Sequence, residues 1–429
     1  YSNVVIYEKS DRIGGKTYSK IHGDIAHELG TTAFAMTKNS PLESFIDSVF
    51  PDIESHTYKL NIMTLAKNAL IRKHKNKNKS GLLVKVARVM FYRRRFYREY
   101  NRLIKKGYPY NISKDDHETL NMLACSMKTF LVSNGMEFIY RSLKSRFIAY
   151  GYGSLENVPA YYGIMVLERN YLSKSTYRAF NQGNDFLWRE TVRKFDLKTE
   201  LEVSVNGIDY SKYQSSGKIS LHLEKNSNKI TETFDFIVLT APYLLADSLP
   251  STIAPEFKKI NSLIYASSLI DMGVRDSADK FYTGEYPAQA LSSYNYDVVL
   301  VAHFGKMKEV STKKYKSNSN AFICFQLNDQ PDNSFNVVDV SRKLEEQIKK
   351  KFDRKGGLDK VHKLHCWQHY SPYFQNTCIE QGIIKKIEAE QGKHGIWYTG
   401  SCISGELVSL VCEYNDFLLN LNSDNHLTN

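Results

Sequence analysis

The sequence has no apolar run near the roughly 18 residues that a membrane-spanning helix needs. It has only 10 prolines and 6 cysteines in 429 residues. So few prolines argue against a proline-rich linker protein, and thinly scattered cysteines fit reduced thiols better than a disulfide framework. No secretory signal opens the chain. These features predict a cytoplasmic protein.

Hydrophobic residues make up 42% of the chain and aromatic residues 13%. Such a composition can bury a large core and excludes wholesale disorder. The length of 429 residues favours two domains, which can be interleaved along the chain. Because the first residue is Tyr1 and stands directly against an apolar run, we expect the chain to be a fragment or a processed form.

Positive charge is concentrated between Lys67 and Lys106. This segment holds fifteen Lys or Arg and one acid, so its net charge of +14 exceeds the +12 of the whole chain. Its first part, 67–80, is rich in Asn and Lys and is predicted to be an exposed loop or a frayed helix end. Apolar residues spaced by three and four then predict an amphipathic helix over 81–106 that carries several arginines.

Three interpretations of this helix compete. It is either a solvated face packed on a domain, an attachment to anionic membrane surfaces, or a nucleic-acid contact. No recognised nucleic-acid motif accompanies the basic stretch, so no nucleic-acid partner is predicted. Peripheral membrane association stays open.

The sharpest motif lies at the start of the chain. A short apolar run predicts a buried parallel strand that ends at Glu8, and Arg12, Gly14, Gly15 and Lys16 follow. In a dinucleotide-binding βαβ unit, an acid at this position accepts hydrogen bonds from the adenosine ribose. The paired glycines let the backbone approach a pyrophosphate, and the two cations supply positive charge beside it.

This stretch resembles the flavin-containing amine-oxidase superfamily, in which an apolar strand, Glu and R-I-G-G occur in the same order. Later segments resemble further elements of that family. The resemblance places Gly30 and Thr31 close to the flavin, Val205 at the adenine, and Gly400, Leu407 and Val408 near the isoalloxazine. It implies FAD as the cofactor and a Rossmann-like domain of the FAD/NAD(P)-binding type.

The segments 149–153, 158–162, 183–188 and 369–374 are similar to one subgroup of this superfamily. That subgroup includes a fungal indole-alkaloid dehydrogenase and polyenoic fatty-acid isomerases. Hydride transfer from a small, apolar or lipid-like substrate is therefore expected, with dehydrogenation first and double-bond isomerisation close behind.

The sequence departs from the family at three points. The family's G-x-G-x-x-G turn does not occur, so we expect an N-terminal segment to be missing and FAD to be held poorly by this chain alone. No lysine can be assigned to the flavin-proximal position of many amine oxidases. Leu407 and Val408 stand where amine oxidases often place an aromatic residue, which weakens the case for amine oxidation.

Four potential metal ligands cluster late in the chain: His362, His365, Cys366 and His369. Strand alternation puts His365 and His369 on one face, with Trp367, and His362 and Cys366 on the other, so one metal could not use all four. No metal site is predicted. The resemblance implies instead that Trp367, His369 or Tyr370 lines the substrate pocket, and no catalytic residue is assigned.

The predicted fold is α/β, with an N-terminally incomplete, Rossmann-like FAD-binding domain interleaved with an α+β substrate domain. The FAD-binding domain is assigned to 1–34, 167–245 and 396–429. A helical region with the basic helix is assigned to 35–166, and the substrate domain to 246–395.

Two alternatives to a flavoenzyme remain open. A catalytically inactive relative would act as a membrane or protein interaction module through the basic helix. An NAD-dependent protein without flavin is the other.

Overall fold

In a computed structural model of the protein, the structure describes residues 3–58, 79–149, 151–172, 175–272, 297–302, 321–328, 336–352 and 358–426. The loop predicted over 67–80 lies outside these residues except for its last two positions. Tyr150 of the 149–153 motif also lies outside them.

The described residues form sixteen strands. In chain order these are β1 (Val5–Glu8), β2 (Ser19–His22), β3 (Ile25–Glu28), β4 (Phe34–Met36), β5 (Ser55–Tyr58), β6 (Thr176–Phe180), β7 (Lys198–Leu201), β8 (Val203–Asp209), β9 (Ile219–Lys225), β10 (Asn228–Phe234), β11 (Ile237–Leu239), β12 (Ile260–Met272), β13 (Asp297–Ala302), β14 (Ala321–Asn328), β15 (Leu358–Phe374) and β16 (Ile396–Tyr398).

Fourteen α-helices are described with them. These are α1 (Pro41–Val49), α2 (Lys79–Lys105), α3 (His117–Ala124), α4 (Met127–Ser133), α5 (Glu137–Ala149), α6 (Ala160–Leu167), α7 (Phe186–Lys194), α8 (Tyr213–Ser216), α9 (Ala254–Phe257), α10 (Val337–Phe352), α11 (Asn376–Glu380), α12 (Ile383–Glu390), α13 (Ser401–Ser404) and α14 (Val408–His426). A π-helical turn spans Glu168–Leu172, and 3₁₀ turns span Pro242–Ser248 and Lys393–Gly395.

Local signals in the sequence explain where several helices begin. Ser40 caps α1 by accepting a hydrogen bond from the backbone N–H of Glu43, and Pro41 occupies the first helical position. Asp116 and Ser126 cap α3 and α4 in the same way. These side chains satisfy backbone donors that a helix N-terminus leaves without an intrahelical partner.

Two parallel strand pairs give the fold its α/β character. β1 pairs with β7, and β11 pairs with β16. The predicted mixed α/β class is therefore confirmed. β1 is half-buried rather than buried as predicted, because within the described residues it is hydrogen-bonded to a neighbouring strand, β7, on one side only.

A four-stranded antiparallel sheet, in the order β13-β14-β12-β15, forms the other main layer. One of its faces carries Tyr265, Phe325 and Tyr370 in a buried cluster that also includes Leu29. The opposite face packs Ile264 and Ala266 against Val340 of α10. This sheet thus presents an aromatic face toward the segment that follows β3.

The strand alternation predicted for residues 362–369 is wrong at two positions. One register shift lies between Tyr265, which pairs with Trp367, and Leu263, which pairs with Tyr370. Tyr370 therefore shares a face with Trp367, whereas His369 lies beside Ser262. The register of β12 on β15 shifts between Leu269, which pairs with Lys363, and Ile270, which pairs with Val361. His362 is therefore the extra residue of a β-bulge, which re-aims its side chain. It meets Asp271 on the face that also carries His365 and Trp367, rather than the face of Cys366.

The basic segment forms the 27-residue helix α2, where the sequence predicts a helix over 81–106. Phe96 and Leu103 are buried in the main hydrophobic cluster, whereas Phe91, Arg94 and Arg98 are exposed. No helix in the described part of the chain is both long and apolar enough to cross a membrane.

Candidate functional site

Glu8 lies at the carboxyl end of β1, opposite Leu201 of β7. Its Oε1 atom accepts two hydrogen bonds from Ser10, one from the backbone N–H and one from the hydroxyl, both at 2.7 Å. Both described side-chain hydrogen bonds of Glu8 end on Oε1. Its predicted contact with an adenosine ribose stays a prediction.

The turn after Glu8 depends on two glycines with positive φ. Gly14 has a φ of 113°, and a Cβ there would lie 2.9 Å from the carbonyl oxygen of Thr17. Gly15 has a φ of 54°, and a Cβ there would meet no atom within 4 Å. Gly14 is therefore required by the turn itself, while Gly15 borders open space that a ligand can approach.

Arg12 holds this turn from within. Its Nη1 donates to the carbonyl of Thr17 at 2.8 Å, and its Nη2 donates to that of Gly15 at 2.6 Å. The guanidinium also lies 4.2 Å from the ring centroid of Tyr18. Burial lowers the Arg12 pKa from its usual value. Arg12 is thus engaged by the protein, and its predicted position near a pyrophosphate stays a prediction.

Lys16 joins the turn to the start of α14. Its Nζ lies 2.7 Å and 2.9 Å from the two carboxylate oxygens of Glu406. It also lies 5.1 Å from the ring centroid of Tyr370. An anion that bound at Lys16 would therefore compete with Glu406 for the ammonium group.

A cleft opens between the segment after β3, the start of α14 and the aromatic face of the four-stranded sheet. The structure brings together there five of the residues predicted for the site: Gly30, Thr31, Tyr370, Leu407 and Val408. The cleft is also lined by Thr32, Ala33, Ala35, Tyr152, Tyr265, Phe325 and Glu406.

One wall of this cleft is an aromatic stack. Tyr265 stacks on Tyr370 with ring centroids 4.6 Å apart and on Phe325 at 5.5 Å. All three side chains are buried. Burial raises the pKa of Tyr370 well above its usual value, so this phenol stays neutral over the physiological range. The wall is therefore aromatic and uncharged.

The two other pocket candidates lie outside the lining of the cleft. Trp367 packs beneath Gly30, where its Nε1 donates to the carbonyl of Leu29 at 3.4 Å. His369 is 3.2 Å from the Ser262 hydroxyl through Nδ1, and its ring lies against Tyr243. Burial lowers the pKa of His369. Their contact with a substrate stays a prediction.

Glu28 is a buried acid at the end of β3, two residues before Gly30 of the cleft. Its side chain accepts hydrogen bonds from the Ser19 hydroxyl at 2.7 Å and from the backbone N–H of Asn184 at 2.9 Å. Burial, together with a smaller effect of nearby Asp185, raises the pKa of Glu28 to about 8 despite these two hydrogen bonds. Glu28 is therefore largely protonated at neutral pH.

Val205 and Gly400 occupy other positions in the fold. Val205 is on β8, opposite Leu223, and packs against the main hydrophobic cluster. Gly400 follows β16 with a φ of 104°, and a Cβ there would lie 1.9 Å from the carbonyl oxygen of Thr240. Their predicted proximity to adenine and isoalloxazine stays a prediction.

Sequence reasoning missed most of the aromatic wall. Tyr152 lies in the 149–153 motif, but no role was predicted for it. Tyr265 and Phe325 are on strands 60 residues apart and meet only when β12 pairs with β14. Alternation within each strand indicates a buried side chain, but not the cleft into which it packs.

The turn after Glu8 and the cleft fit two different parts of FAD. Glu8 offers a carboxylate oxygen to a ribose, and Gly15 leaves space beside it for a diphosphate. Gly30, Thr31 and the start of α14 border the cleft, where helix N–H groups favour an electron-rich ring.

More than half of the chain is similar in sequence to a family of flavoproteins. Residues 2–269 match a sequence model described as flavin containing amine oxidoreductase. A search among curated proteins found no match.

Several solved structures share the fold. A CLA-producing fatty acid isomerase from P. acnes aligns with a TM-score of 0.68 and 17% identity, over 97% of this chain and 92% of that one. Cyclohexylamine oxidase from Brevibacterium oxydans aligns with a TM-score of 0.60 and 11% identity, over 98% of this chain and 93% of that one. Putrescine oxidase bound to putrescine aligns with a TM-score of 0.58 and 9% identity, over 97% of this chain and 93% of that one.

Proposed function

The chain belongs to the flavin-containing amine oxidoreductase family, and from that premise we propose that this FAD-dependent enzyme acts on an apolar, lipid-like substrate. The reaction is either dehydrogenation or isomerisation of a double bond. The observation that carries the proposal is the uncharged aromatic wall of Tyr265, Phe325 and Tyr370 along the cleft.

Three features support a hydrocarbon substrate over an amine. An amine substrate carries a cation that must be desolvated or deprotonated, whereas an alkyl chain gains about 25 cal/mol for each Å² of apolar area that it buries. Leu407 and Val408 extend the apolar surface. The carboxylate of Glu406 is already paired with Lys16, so it offers little to a substrate cation.

Each residue of the site has a binding or orienting role in this proposal. Glu8 holds the ribose, and the Gly14–Gly15 turn makes room for the diphosphate. Gly30, Thr31 and the start of α14 flank the ring, and the aromatic wall holds an alkyl chain against it while excluding water. When bound, the flavin supplies the acceptor for a hydride from substrate carbon.

The test is a direct comparison of substrate classes. Protein expressed from its gene and loaded with FAD is incubated with a polyunsaturated fatty acid, with cyclohexylamine and with putrescine. Gas chromatography coupled to mass spectrometry distinguishes isomerisation, which changes the retention time of the lipid at constant mass, from dehydrogenation, which removes two hydrogens. Turnover of an amine without turnover of the lipid would overturn the proposal, and turnover of neither would favour an inactive relative.

A matched pair of variants tests the role of the cleft. Leu407→Gln places an amide in the lining, whereas Leu419→Gln changes an exposed leucine of α14 that is 70% accessible. Burial of a leucine side chain contributes about 1.5–3 kcal/mol. In protein samples of equal flavin content, the first change is therefore expected to raise KM for a lipid about tenfold. The second is expected to leave KM unchanged.

A second candidate function, peripheral association with anionic membranes, is favoured by the exposed face of α2. Phe91 is 59% exposed and Met90 is 49% exposed, beside the exposed Arg94 and Arg98. Exposed apolar side chains beside arginines combine the two contributions that bind a helix to an anionic bilayer surface.

Co-sedimentation with vesicles of phosphatidylcholine and phosphatidylserine tests this attachment. Two arginines contribute about 2 kcal/mol together, so Arg94→Gln with Arg98→Gln is expected to weaken binding about thirtyfold. Arg342→Gln, on the exposed face of α10, is the control. Binding that is insensitive to salt and to the double substitution would end the membrane interpretation.

A further inference from the structure

Three potential metal ligands meet on residues that belong neither to the turn after Glu8 nor to the lining of the cleft. His22 ends β2, Asp271 is near the end of β12, and His362 is on β15. The Nε2 atom of His362 lies 2.6 Å from Oδ2 of Asp271, and that of His22 lies 3.9 Å from Oδ1. One ligand atom from each residue lies within 4.8 Å of the other two.

The β-bulge in β15 creates this arrangement. Without the register shift between Leu269 and Ile270, strand alternation would put His362 on the face opposite to Asp271. With it, the imidazole of His362 meets Asp271 and lies 4.2 Å from the His22 ring, centroid to centroid. A second shift follows between Asp271 and Met272. Bulges commonly re-aim one side chain at a functional position.

We propose that His22, Asp271 and His362 bind a divalent transition-metal ion of the Zn²⁺ class. Two imidazole nitrogens and one carboxylate oxygen are a donor set that Zn²⁺ uses when one coordination position is left to water. All three side chains are half-buried, so solvent can reach the fourth position. The ion takes the place of the hydrogen between His362 and Asp271, and the neutral imidazole coordinates through Nε2 with its proton on Nδ1.

The site would connect two parts of the fold. His22 belongs to the β2–β3 hairpin, while Asp271 and His362 belong to neighbouring strands of the four-stranded sheet. β3 leads directly to Gly30 and Thr31 in the cleft. A bound ion would therefore fix the hairpin to the sheet beside the cleft, which is a structural role independent of the flavin reaction.

The test uses the full chain freed of metal with a chelator. Co²⁺ is added first, because its visible absorption reports imidazole and carboxylate ligation directly, and Zn²⁺ is then titrated by calorimetry. We expect one equivalent to bind, with a rise in the thermal midpoint. The same titration without added FAD is expected to give the same stoichiometry, so the result does not depend on the proposed reaction.

Three single variants and one control decide the assignment. Loss of a residue that only hydrogen-bonds to a metal ligand lowers metal affinity about 10- to 100-fold. Loss of a ligand itself is expected to lower it at least as much in His22→Gln, Asp271→Asn and His362→Gln. His222→Gln, an exposed histidine of β9, is expected to bind like the parent protein. Circular dichroism verifies that each variant is folded.

Two outcomes would overturn the proposal. One is the absence of stoichiometric Co²⁺ or Zn²⁺ binding by the folded parent protein, which would leave a His–Asp hydrogen bond only. The other is unchanged binding in folded His362→Gln and Asp271→Asn variants.

Discussion

Replacement of Glu28 by glutamine is expected to stabilise the protein above neutral pH and to flatten its stability profile. Glutamine has nearly the shape of the protonated acid. It can still accept the hydrogen bond from the Asn184 backbone N–H, and its amide can donate to the Ser19 hydroxyl, which rotates to accept. It cannot ionise, so the cost of a buried carboxylate disappears.

The magnitude follows from the pKa of Glu28, which burial raises from 4.5 to about 8. Below pH 4.5 the acid is protonated in both folded and unfolded chains and has no effect on stability. Between pH 4.5 and pH 8 the folded chain holds the extra proton, so stability falls as pH rises. At 1.36 kcal/mol per pH unit, the cost is about 3 kcal/mol at pH 7 and approaches about 5 kcal/mol above pH 8.

The assay is a series of denaturant midpoints from pH 5 to pH 9, measured for parent protein and Glu28→Gln under identical conditions. The parent is expected to lose stability across this range relative to the variant. Glu380→Gln, an exposed residue at the end of α11, is the control and is expected to follow the parent. A Glu28→Gln variant that is less stable than the parent at pH 8, and whose stability depends on pH as that of the parent does, would refute the reasoning.

Three further predictions concern single contacts. Glu8→Gln removes the carboxylate that is expected to hold a ribose, so the flavin content of purified protein should fall about tenfold; unchanged flavin absorption would remove Glu8 from the site. A double-mutant cycle with Lys16→Met and Glu406→Gln should give a coupling free energy of unfolding of about 1–2 kcal/mol, because this ion pair is largely shielded from water. A coupling free energy near zero would mean that solvent screens the pair. Gly400→Ala should destabilise by at least about 3 kcal/mol, since it combines a glycine-only φ with a clash on the carbonyl of Thr240; an unaltered thermal midpoint would contradict the described backbone.

The basic segment shows how far charge patterning reaches. The sequence alone predicts a helix and its arginines, but its periodicity does not reveal which apolar residues stay exposed. That Phe96 is buried while Phe91 is exposed depends on the helices and loops that pack against α2. The exposed pair Met90 and Phe91 is the feature that makes the membrane interpretation testable.

The sequence by itself determined the elements whose signals are local. The strand ending at Glu8, the paired glycines after it and the helix predicted over 81–106 are each encoded by consecutive residues. Their conformations depend on backbone sterics and side-chain periodicity, which neighbouring residues specify. The resemblance to a flavoprotein family rests on the same short motifs.

Tertiary structure alone decided the contacts between distant segments. The aromatic wall needs strands β12, β14 and β15 side by side, and the approach of His22, Asp271 and His362 needs a bulge in β15. A bulge changes which residues face each other without leaving a mark in apolar alternation. The burial that keeps Glu28 protonated is likewise a property of the packed neighbours around it, because a side chain's dielectric environment is set by contacts that no local pattern specifies.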